Sequence, residues 1–186
     1  MIRDALLELS EVARETAQQQ SDAIAEYARL AVETIQSGGK VLFCGNGGSA
    51  ADAQHLAAEY VVQLNRLRRA LPAVALTTDT SILTAGANDL GYEEVFARQV
   101  EALGQPGDLL VLHSTSGESE NLIRAAAKAT EGGLRTVGVL AKGGGRLGQL
   151  VDVAVVVPTQ QTSRAQEVHL AIGHVVCLHV EESLDS

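Results

Sequence analysis

The sequence has no tryptophan, two phenylalanines and three tyrosines in 186 residues. Aromatic side chains therefore cannot form most of its core, which must come from the Ala, Val, Leu and Ile that dominate its 46% hydrophobic content. A chain of this length is expected to form one domain that buries about two thirds of the surface of its unfolded form. A core of small aliphatic side chains is typical of helices packed on a parallel sheet.

Cysteines and basic residues are also scarce. Cys44 and Cys177 lie far apart and neither belongs to a C-x-x-C pair, which argues against a disulfide framework and a zinc knuckle and favours a reduced, cytoplasmic protein. Lys and Arg number 14 against 23 Asp and Glu, so the formal net charge is −9. We therefore expect no broad electrostatic attraction to nucleic acid or to an anionic membrane.

Long hydrophobic runs are missing as well. No segment approaches the ~20 apolar residues that a membrane-spanning helix requires. Residues 1–20 mix acidic with basic side chains, which is unlike a signal peptide. The sequence therefore predicts a protein that does not enter a membrane.

Five short hydrophobic runs, each typical of a buried strand, are present at residues 40–45, 73–78, 108–114, 135–140 and 152–158. Helical patterns precede, separate and follow them, at residues 2–36, 50–64, 80–103 with interruptions, 119–131, 145–149 and 163–184. The hydrophobic stripes of the first and last helices include Leu6, Leu7 and Val175. This order predicts an α/β fold, a flavodoxin-like three-layer α-β-α sandwich with a five-stranded parallel sheet and a long N-terminal helix.

A glycine-rich loop, CGNGGSAAD, follows the first predicted strand. Gly45, Gly47 and Gly48 would let the backbone approach a ligand, and Ser49 is predicted to cap the next helix. The loop lacks the G-x-x-x-x-G-K-[ST] pattern, fits G-x-G-x-x-G only loosely, and no acidic residue ends the second strand. ATP and NAD are therefore disfavoured as ligands.

A second loop, HSTSGESENL, follows the third predicted strand. Its hydroxyl groups, beside Gly117, belong to Ser114, Thr115, Ser116 and Ser119. Free N–H groups at a helix start can bind phosphate, and hydroxyl donors can complete its hydrogen bonds without a basic residue. The alternative is that these residues only cap the helix. The number of hydroxyl groups favours phosphate binding.

His55 and Glu59 are four residues apart, so they share one face of a helix. Gln166 and His174 are eight residues apart and lie near one face of the final helix. If the two helices meet, these side chains could bind a divalent metal such as zinc or transfer protons. A His–Glu pair at this spacing is also common as a surface interaction. The residues alone leave these readings open.

Taken together, these motifs resemble the sugar isomerase (SIS) domain family, and within it the phosphoheptose isomerases. The resemblance covers almost the whole chain and is carried by GNGGSAADAQHLAAEY, TTDTSILTAGANDLGYEEVF, STSGES and AQEVHLAIGH, in the family's order. It implies a single SIS domain over residues 1–186. Residues 1–37 would form a helical segment that packs on the domain or in an oligomer.

The resemblance implies an aldose–ketose isomerase that converts sedoheptulose 7-phosphate to D-glycero-D-manno-heptose 7-phosphate through an enediol. Family members are homotetramers with active sites at subunit interfaces. Glu59 and His174 would be the catalytic acid/base pair, and one zinc ion per subunit would be bound by His55, Glu59, Gln166 and His174. The implied substrate-binding residues are Asn46, Gly47, Gly48, Ser49, Glu59, Asn88, Asp89, Ser114, Thr115, Ser116, Ser119 and Gln166.

Two positions depart from the commoner family pattern. Gln63 stands where many members have Arg, and Ser163 stands where an acidic residue is common. Two alternatives therefore accompany the main prediction: an isomerase of another ketose phosphate, and a non-catalytic SIS adaptor that binds a replication initiator protein. The adaptor would need neither Glu59 nor His174.

Overall fold

In the computed structural model, which describes residues 2–184, five parallel strands form one sheet between two layers of helices. The strands are β1 (Val41–Gly45), β2 (Ala73–Ala75), β3 (Leu109–Ser114), β4 (Arg135–Ala141) and β5 (Val153–Val157). The helices are α1 (Ile2–Gln36), α2 (Gly48–Val61), α3 (Thr80–Asp89), α4 (Val95–Leu103), α5 (Glu120–Glu131) and α6 (Thr162–Ser183). The predicted α/β fold with a five-stranded parallel sheet is confirmed.

The strand order is β2-β1-β3-β4-β5. After β1 the chain moves outward to β2 and then returns to place β3 on the other side of β1. In open parallel sheets, ligands bind beyond the carboxyl ends of the strands at such a reversal. The fold therefore directs attention to the loops that follow β1 and β3.

Alternation along the strands divides the core between the two faces of the sheet. Phe43 and Val111 pack under α1, α2 and α6, whereas Leu42 and Leu112 pack on the opposite face with residues of α4 and α5. All four side chains are fully buried. Aliphatic residues make up most of both clusters, as the composition predicts.

Several boundaries differ from the predicted ones; α2, for example, spans Gly48–Val61 where residues 50–64 were predicted. The second strand has only three residues, because the chain leaves the sheet at the edge after Ala75. Gly91, at φ 98°, separates α3 from a short 3-10 helix, Tyr92–Glu94, that leads into α4. The segment predicted to be helical at 145–149 contains a second 3-10 turn, Leu147–Gln149.

A groove of about 480 Å³ runs between α1 and α6 on the outer surface. Its walls are mainly small and apolar, and include Ala13, Ala17 and Ile24 of α1 and Val168 and Val175 of α6. Val175 is 59% exposed, and Leu6 and Leu7 near the start of α1 are 64% and 57% exposed. These three members of the predicted hydrophobic stripes therefore lie outside the core of the single chain.

Buried charges join the loop after α2 to α6. The Glu181 carboxylate accepts hydrogen bonds from the Leu64 and Asn65 amides and pairs with Arg68 at 2.9 Å. Arg68 also donates to the backbone carbonyls of Tyr60 and Glu59 at the end of α2. Burial raises the pKa of Glu181, but the two amides and Arg68 outweigh this effect and lower it overall. The carboxylate thus stays charged and holds α2 to α6.

Among the helices of residues 2–184, none has both the length and the apolar character needed to cross a bilayer.

Candidate active site

A cavity of about 310 Å³ opens at the carboxyl ends of β1 and β3. It is lined by both loops that the sequence singles out, together with the beginning of α6. The lining residues are Asn46, Gly47, Gly48, Ser49, His113, Ser114, Thr115, Ser116, Ser119, Thr162 and Gln166.

The glycine-rich loop turns directly from β1 into α2. Gly47 has φ 59° and occupies the N-cap position, so the prediction that Ser49 caps this helix is wrong. Ser49 lies in the first turn, where its amide donates to the Asn46 carbonyl. A Cβ atom on Gly48 would lie 2.5 Å from the Gln166 amide nitrogen, so glycine lets α6 lie against the start of α2.

Asn46 is held in one orientation. Its side-chain amide exchanges two hydrogen bonds with that of Asn121, at 3.0 and 2.9 Å, and its oxygen also accepts from the Tyr92 hydroxyl at 3.0 Å. Asn121 and Tyr92 were not predicted from the sequence, because only the fold places them beside the glycine-rich loop. These contacts fix a polar side chain at the cavity wall before any ligand arrives.

The serine loop is partly organised by its own hydroxyl groups. Ser114 Oγ accepts from the Gly117 amide at 3.0 Å, and Ser116 Oγ accepts from the Glu118 amide at 3.2 Å. Ser119 is the N-cap residue of α5, yet its side chain makes no capping hydrogen bond. Its hydroxyl therefore remains available to a ligand in the cavity.

Three helix starts meet at this cavity: Gly48 begins α2, Ser119 precedes α5 and Thr162 begins α6. Each start carries unpaired backbone N–H groups and the positive end of a helix dipole. The lining side chains are hydroxyls, amides and one histidine, and no carboxylate is among them. The cavity is therefore suited to an anion such as phosphate.

The histidine in the lining, His113, is a residue that the sequence did not predict to be in the site. It is fully buried on β3, and within residues 2–184 neither ring nitrogen has a hydrogen-bond partner. Burial, aided by neighbouring His169, lowers the pKa of His113 to about 3. The ring is therefore neutral at physiological pH. Its position next to Ser114 at the end of a buried strand was the available signal.

Asn88 and Asp89 lie elsewhere. Both are exposed at the C-terminal end of α3, where the Asn88 amide donates to the Asp89 carboxylate at 2.6 Å. They are not among the residues that line the cavity in this single chain.

A second group of side chains forms where α2 crosses α6. His55 Nε2 lies 2.9 Å from His174 Nε2 and 3.2 Å from Glu59 Oε1. One donor atom from each of these residues lies within 4.8 Å of the others. Gln166, eight residues before His174 on α6, lines the cavity. The structure thus brings together three of the four predicted metal ligands.

The donor set suits zinc. Two imidazoles and a carboxylate are the ligands of many zinc sites, and zinc bonds of about 2.0–2.1 Å in a tetrahedron place neighbouring donor atoms about 3.4 Å apart. The observed separations of 2.9 and 3.2 Å need only a small adjustment to reach that value. The residues present therefore fit such an ion.

Glycine at position 173 permits the contact between the two helices. A Cβ atom there would lie 2.5 Å from both methyl carbons of Leu56, which is fully buried. Leu56 and Gly173 are the direct neighbours of His55 and His174 in the chain. The close approach of α2 to α6 therefore occurs at the level of the two histidines.

The chain is similar to known proteins over most of its length. Residues 6–141 match the family model described as SIS domain. The chain is 55% identical over 174 residues to the phosphoheptose isomerase of Roseiflexus sp. (strain RS-1), covering 94% of this chain and 88% of that protein. It is 50% identical over 187 residues to the phosphoheptose isomerase of Chlorobaculum parvum, covering 99% and 90%.

Two solved structures are similar over nearly their whole length. The phosphoheptose isomerase of Neisseria gonorrhoeae has a TM-score of 0.91 and 39% identity, with 97% of each chain covered. That of Francisella tularensis has a TM-score of 0.94 and 34% identity, with 97% of this chain and 96% of that chain covered.

Gly117→Ala should disrupt the serine loop. Gly117 has φ 68°, and a Cβ atom would lie 1.9 Å from the Gly144 carbonyl oxygen. We expect a loss of unfolding free energy of about 2–4 kcal/mol, because backbone must move as well as adopt a strained φ. Binding of inorganic phosphate, measured by calorimetry, should weaken at least about tenfold.

Gly143→Ala is the matched control, because Gly143 also has positive φ, 84°, but no atom lies within 4 Å of the added carbon. It should cost only about 1 kcal/mol and leave phosphate binding unchanged. Equal effects of the two variants would show that the contact with Gly144 does not shape the site.

Proposed function

The chain belongs to the SIS domain family and, within it, to the phosphoheptose isomerases, and we propose that it converts sedoheptulose 7-phosphate to D-glycero-D-manno-heptose 7-phosphate. The observation that carries this proposal is the meeting of Glu59 and His174, from helices more than 100 residues apart in sequence, beside a cavity of uncharged phosphate-type donors. A non-catalytic adaptor would need no such meeting. The enzyme is therefore the reading that the geometry supports.

The spacing of the two groups along the helices supports a long substrate. At 1.5 Å per residue, His55 lies about 10 Å along α2 from Gly48, and His174 lies about 12 Å along α6 from Gln166. A sugar with its phosphate in the cavity must therefore extend along the two helices to reach them. A ketose with phosphate on C7 and its carbonyl on C2 has its two functional ends far apart in this way.

The reaction moves a carbonyl between C2 and C1, which requires removal of a proton from carbon and its return to the neighbouring carbon. In our proposal the Glu59 carboxylate takes this proton, and the His174 imidazole transfers a proton at oxygen. Hydrogen bonds from the serine loop to the phosphate supply binding energy remote from the reacting carbons. That energy orients the substrate for proton transfer.

We also propose that His55, Glu59, Gln166 and His174 bind one zinc ion per subunit. A bound divalent ion would supply polarisation of the substrate carbonyl and stabilise negative charge on its oxygen. The fit of the three donor atoms supports this proposal.

We propose that the whole chain, residues 1–186, is one SIS domain that assembles as a homotetramer in the cytoplasm. The apolar groove between α1 and α6 and the exposed Leu6, Leu7 and Val175 support burial of this face by other subunits. Buried, unpaired Cys44 and Cys177 suit a reducing compartment. In the same assembly, residues 1–37 would contribute the helical surface, and neighbouring subunits would complete the sites, where Asn88 and Asp89 would contact sugar.

The two departures from the family pattern lie at the surface. Gln63 is exposed in the loop after α2, and Ser163 is exposed in the first turn of α6. Neither touches His55, Glu59 or His174 in the described contacts. We propose that they influence the choice of sugar and leave the proton-transfer chemistry unchanged.

Glu59→Gln tests the catalytic assignment. It keeps the size of the side chain but removes the base, so kcat for sedoheptulose 7-phosphate should fall at least about 10³-fold. Inorganic phosphate should bind with unchanged affinity, because the serine loop is separate from the base. The control is Glu167→Gln, an exposed acid on α6, which should keep full activity. Wild-type turnover by Glu59→Gln would contradict the assignment.

Gly173→Ala tests the metal proposal without an activity assay. The added methyl meets Leu56 and must push α2 from α6, so the Zn²⁺ dissociation constant should rise about 10–100-fold. Competition with a chromophoric chelator measures it. Gly86→Ala in α3, where the nearest atom is at 3.6 Å, is the control and should bind Zn²⁺ normally. An unchanged affinity in Gly173→Ala would count against this site.

Val175→Glu tests the assembly. If subunits bury the groove, a carboxylate at this position loses hydration without gaining a partner, and the tetramer should dissociate. Sedimentation velocity should then show smaller species, while Leu150→Glu, at an exposed leucine outside the groove, should remain tetrameric. A tetrameric Val175→Glu variant would place the interface elsewhere.

A further inference from the structure

The phosphate cavity has no fully charged cation in its lining. A phosphate monoester carries about −1.5 to −2 charges at pH 7, whereas hydroxyls and helix starts offer only partial positive charges. A cation just outside the lining would therefore strengthen binding more than another neutral donor would.

Lys142 is such a cation. It follows β4 directly, and its Nζ donates to Thr162 Oγ1 at 3.0 Å. Thr162 is the first residue of α6 and lines the cavity. An ammonium group has three N–H donors, so this bond leaves two of them for a ligand.

The ammonium group of Lys142 is not neutralised by an acidic side chain among the described residues. In the part of the chain that the structure describes, no carboxylate lies within ion-pair distance of its ammonium group. Arg146, four residues later and also near the serine loop, is instead paired with Glu118 and Glu120. Of these two cations, only Lys142 is free to pair with an incoming anion.

The backbone at this position would suit glycine better. Lys142 has φ 51° and is the one residue other than glycine with positive φ between residues 2 and 184. Gly143, Gly144 and Gly145 follow with positive φ as well. A lysine in this run adopts a backbone conformation that costs energy, and residues strained in this way cluster at functional sites.

The loop that carries Lys142 also contacts the serine loop. The Leu147 amide donates to the Gly117 carbonyl at 2.9 Å, and a Cβ atom on Gly145 would lie 2.5 Å from the Ser116 carbonyl oxygen. The segment that follows Lys142 thus packs on the loop whose hydroxyl groups line the cavity.

We propose that Lys142 is a further substrate-binding residue: its ammonium group, held at the cavity rim by Thr162, donates to the phosphate of the bound sugar and supplies the one full positive charge there. The proposal rests on the proposed function only in taking a sugar phosphate as the ligand of the cavity. Thr162, which holds the ammonium group, lies twelve residues, about 18 Å of helix, before His174 on α6. The ammonium group therefore acts on binding and leaves proton transfer unchanged.

The test compares Lys142→Met, Lys142→Arg and Lys142→Gly with the wild-type protein, and uses Arg98→Gln as a control with the same change of net charge on the exposed face of α4. With sedoheptulose 7-phosphate, Lys142→Met should raise KM about tenfold or more and leave kcat within about twofold. Lys142→Arg should keep KM near the wild-type value. The difference between Lys142→Met and wild type should shrink as salt is added.

Lys142→Gly separates binding from stability. Glycine accepts φ 51° without strain, so the melting temperature should rise while KM rises as in Lys142→Met. A purely structural role for the lysine would link a higher KM with a lower melting temperature. A KM in Lys142→Met equal to that of Arg98→Gln would overturn the proposal.

Inorganic phosphate provides a readout that does not depend on the reaction. Its dissociation constant, measured by calorimetry, should rise about tenfold in Lys142→Met and stay unchanged in Arg98→Gln. If the wild-type protein does not isomerise the heptose phosphate but phosphate binding still depends on Lys142, the proposed function fails and this inference stands. If the wild-type protein is active and Lys142→Met binds phosphate as tightly as the wild type does, this inference fails and the proposed function stands.

Discussion

The close packing of α2 on α6 is the constraint on which the rest of the site depends. Both helices begin at the carboxyl edge of the sheet, so their starts line one cavity and their middle turns bring His55, Glu59 and His174 together. Gly173 permits this approach, and the buried pair of Glu181 and Arg68 joins the far ends. One helix contact thus builds both the anion cavity and the group of titratable side chains.

The electrostatic design explains how an acidic chain can bind an anion. Three helix starts and a set of hydroxyl groups offer oriented partial charges, and neutral His113 adds no full charge. Such dipoles act over a short range, so the net charge of −9 on the whole chain is no obstacle. A single lysine at the rim can then complement the phosphate without creating a basic patch that would attract nucleic acid.

The outer faces of α1 and α6 place a different constraint on the molecule. Their small side chains pack well enough to bury one face of the sheet but leave an open apolar groove on the other side. Part of the hydrophobic stripe of each helix extends beyond the surface that packs on the domain. Such a stripe is typical of a chain that buries more surface on assembly. Leu6, Leu7 and Val175 belong to that wider stripe.

The sequence by itself determined the alternation of strands and helices and the shared face of His55 and Glu59, because each follows from a local period of two or 3.6 residues. It also determined the chemistry of the two loops, because that depends only on which residues follow one another. Only the tertiary structure decided which helix faces meet. It placed Gln166 in the cavity wall and Asn88 and Asp89 outside it, moved the cap of α2 from Ser49 to Gly47 and added His113 and Thr162. Local periodicity gives the face of each helix. The distance between two helices depends instead on the volumes of the side chains that meet between them, here Leu56 and Gly173, which are more than 100 residues apart in the chain.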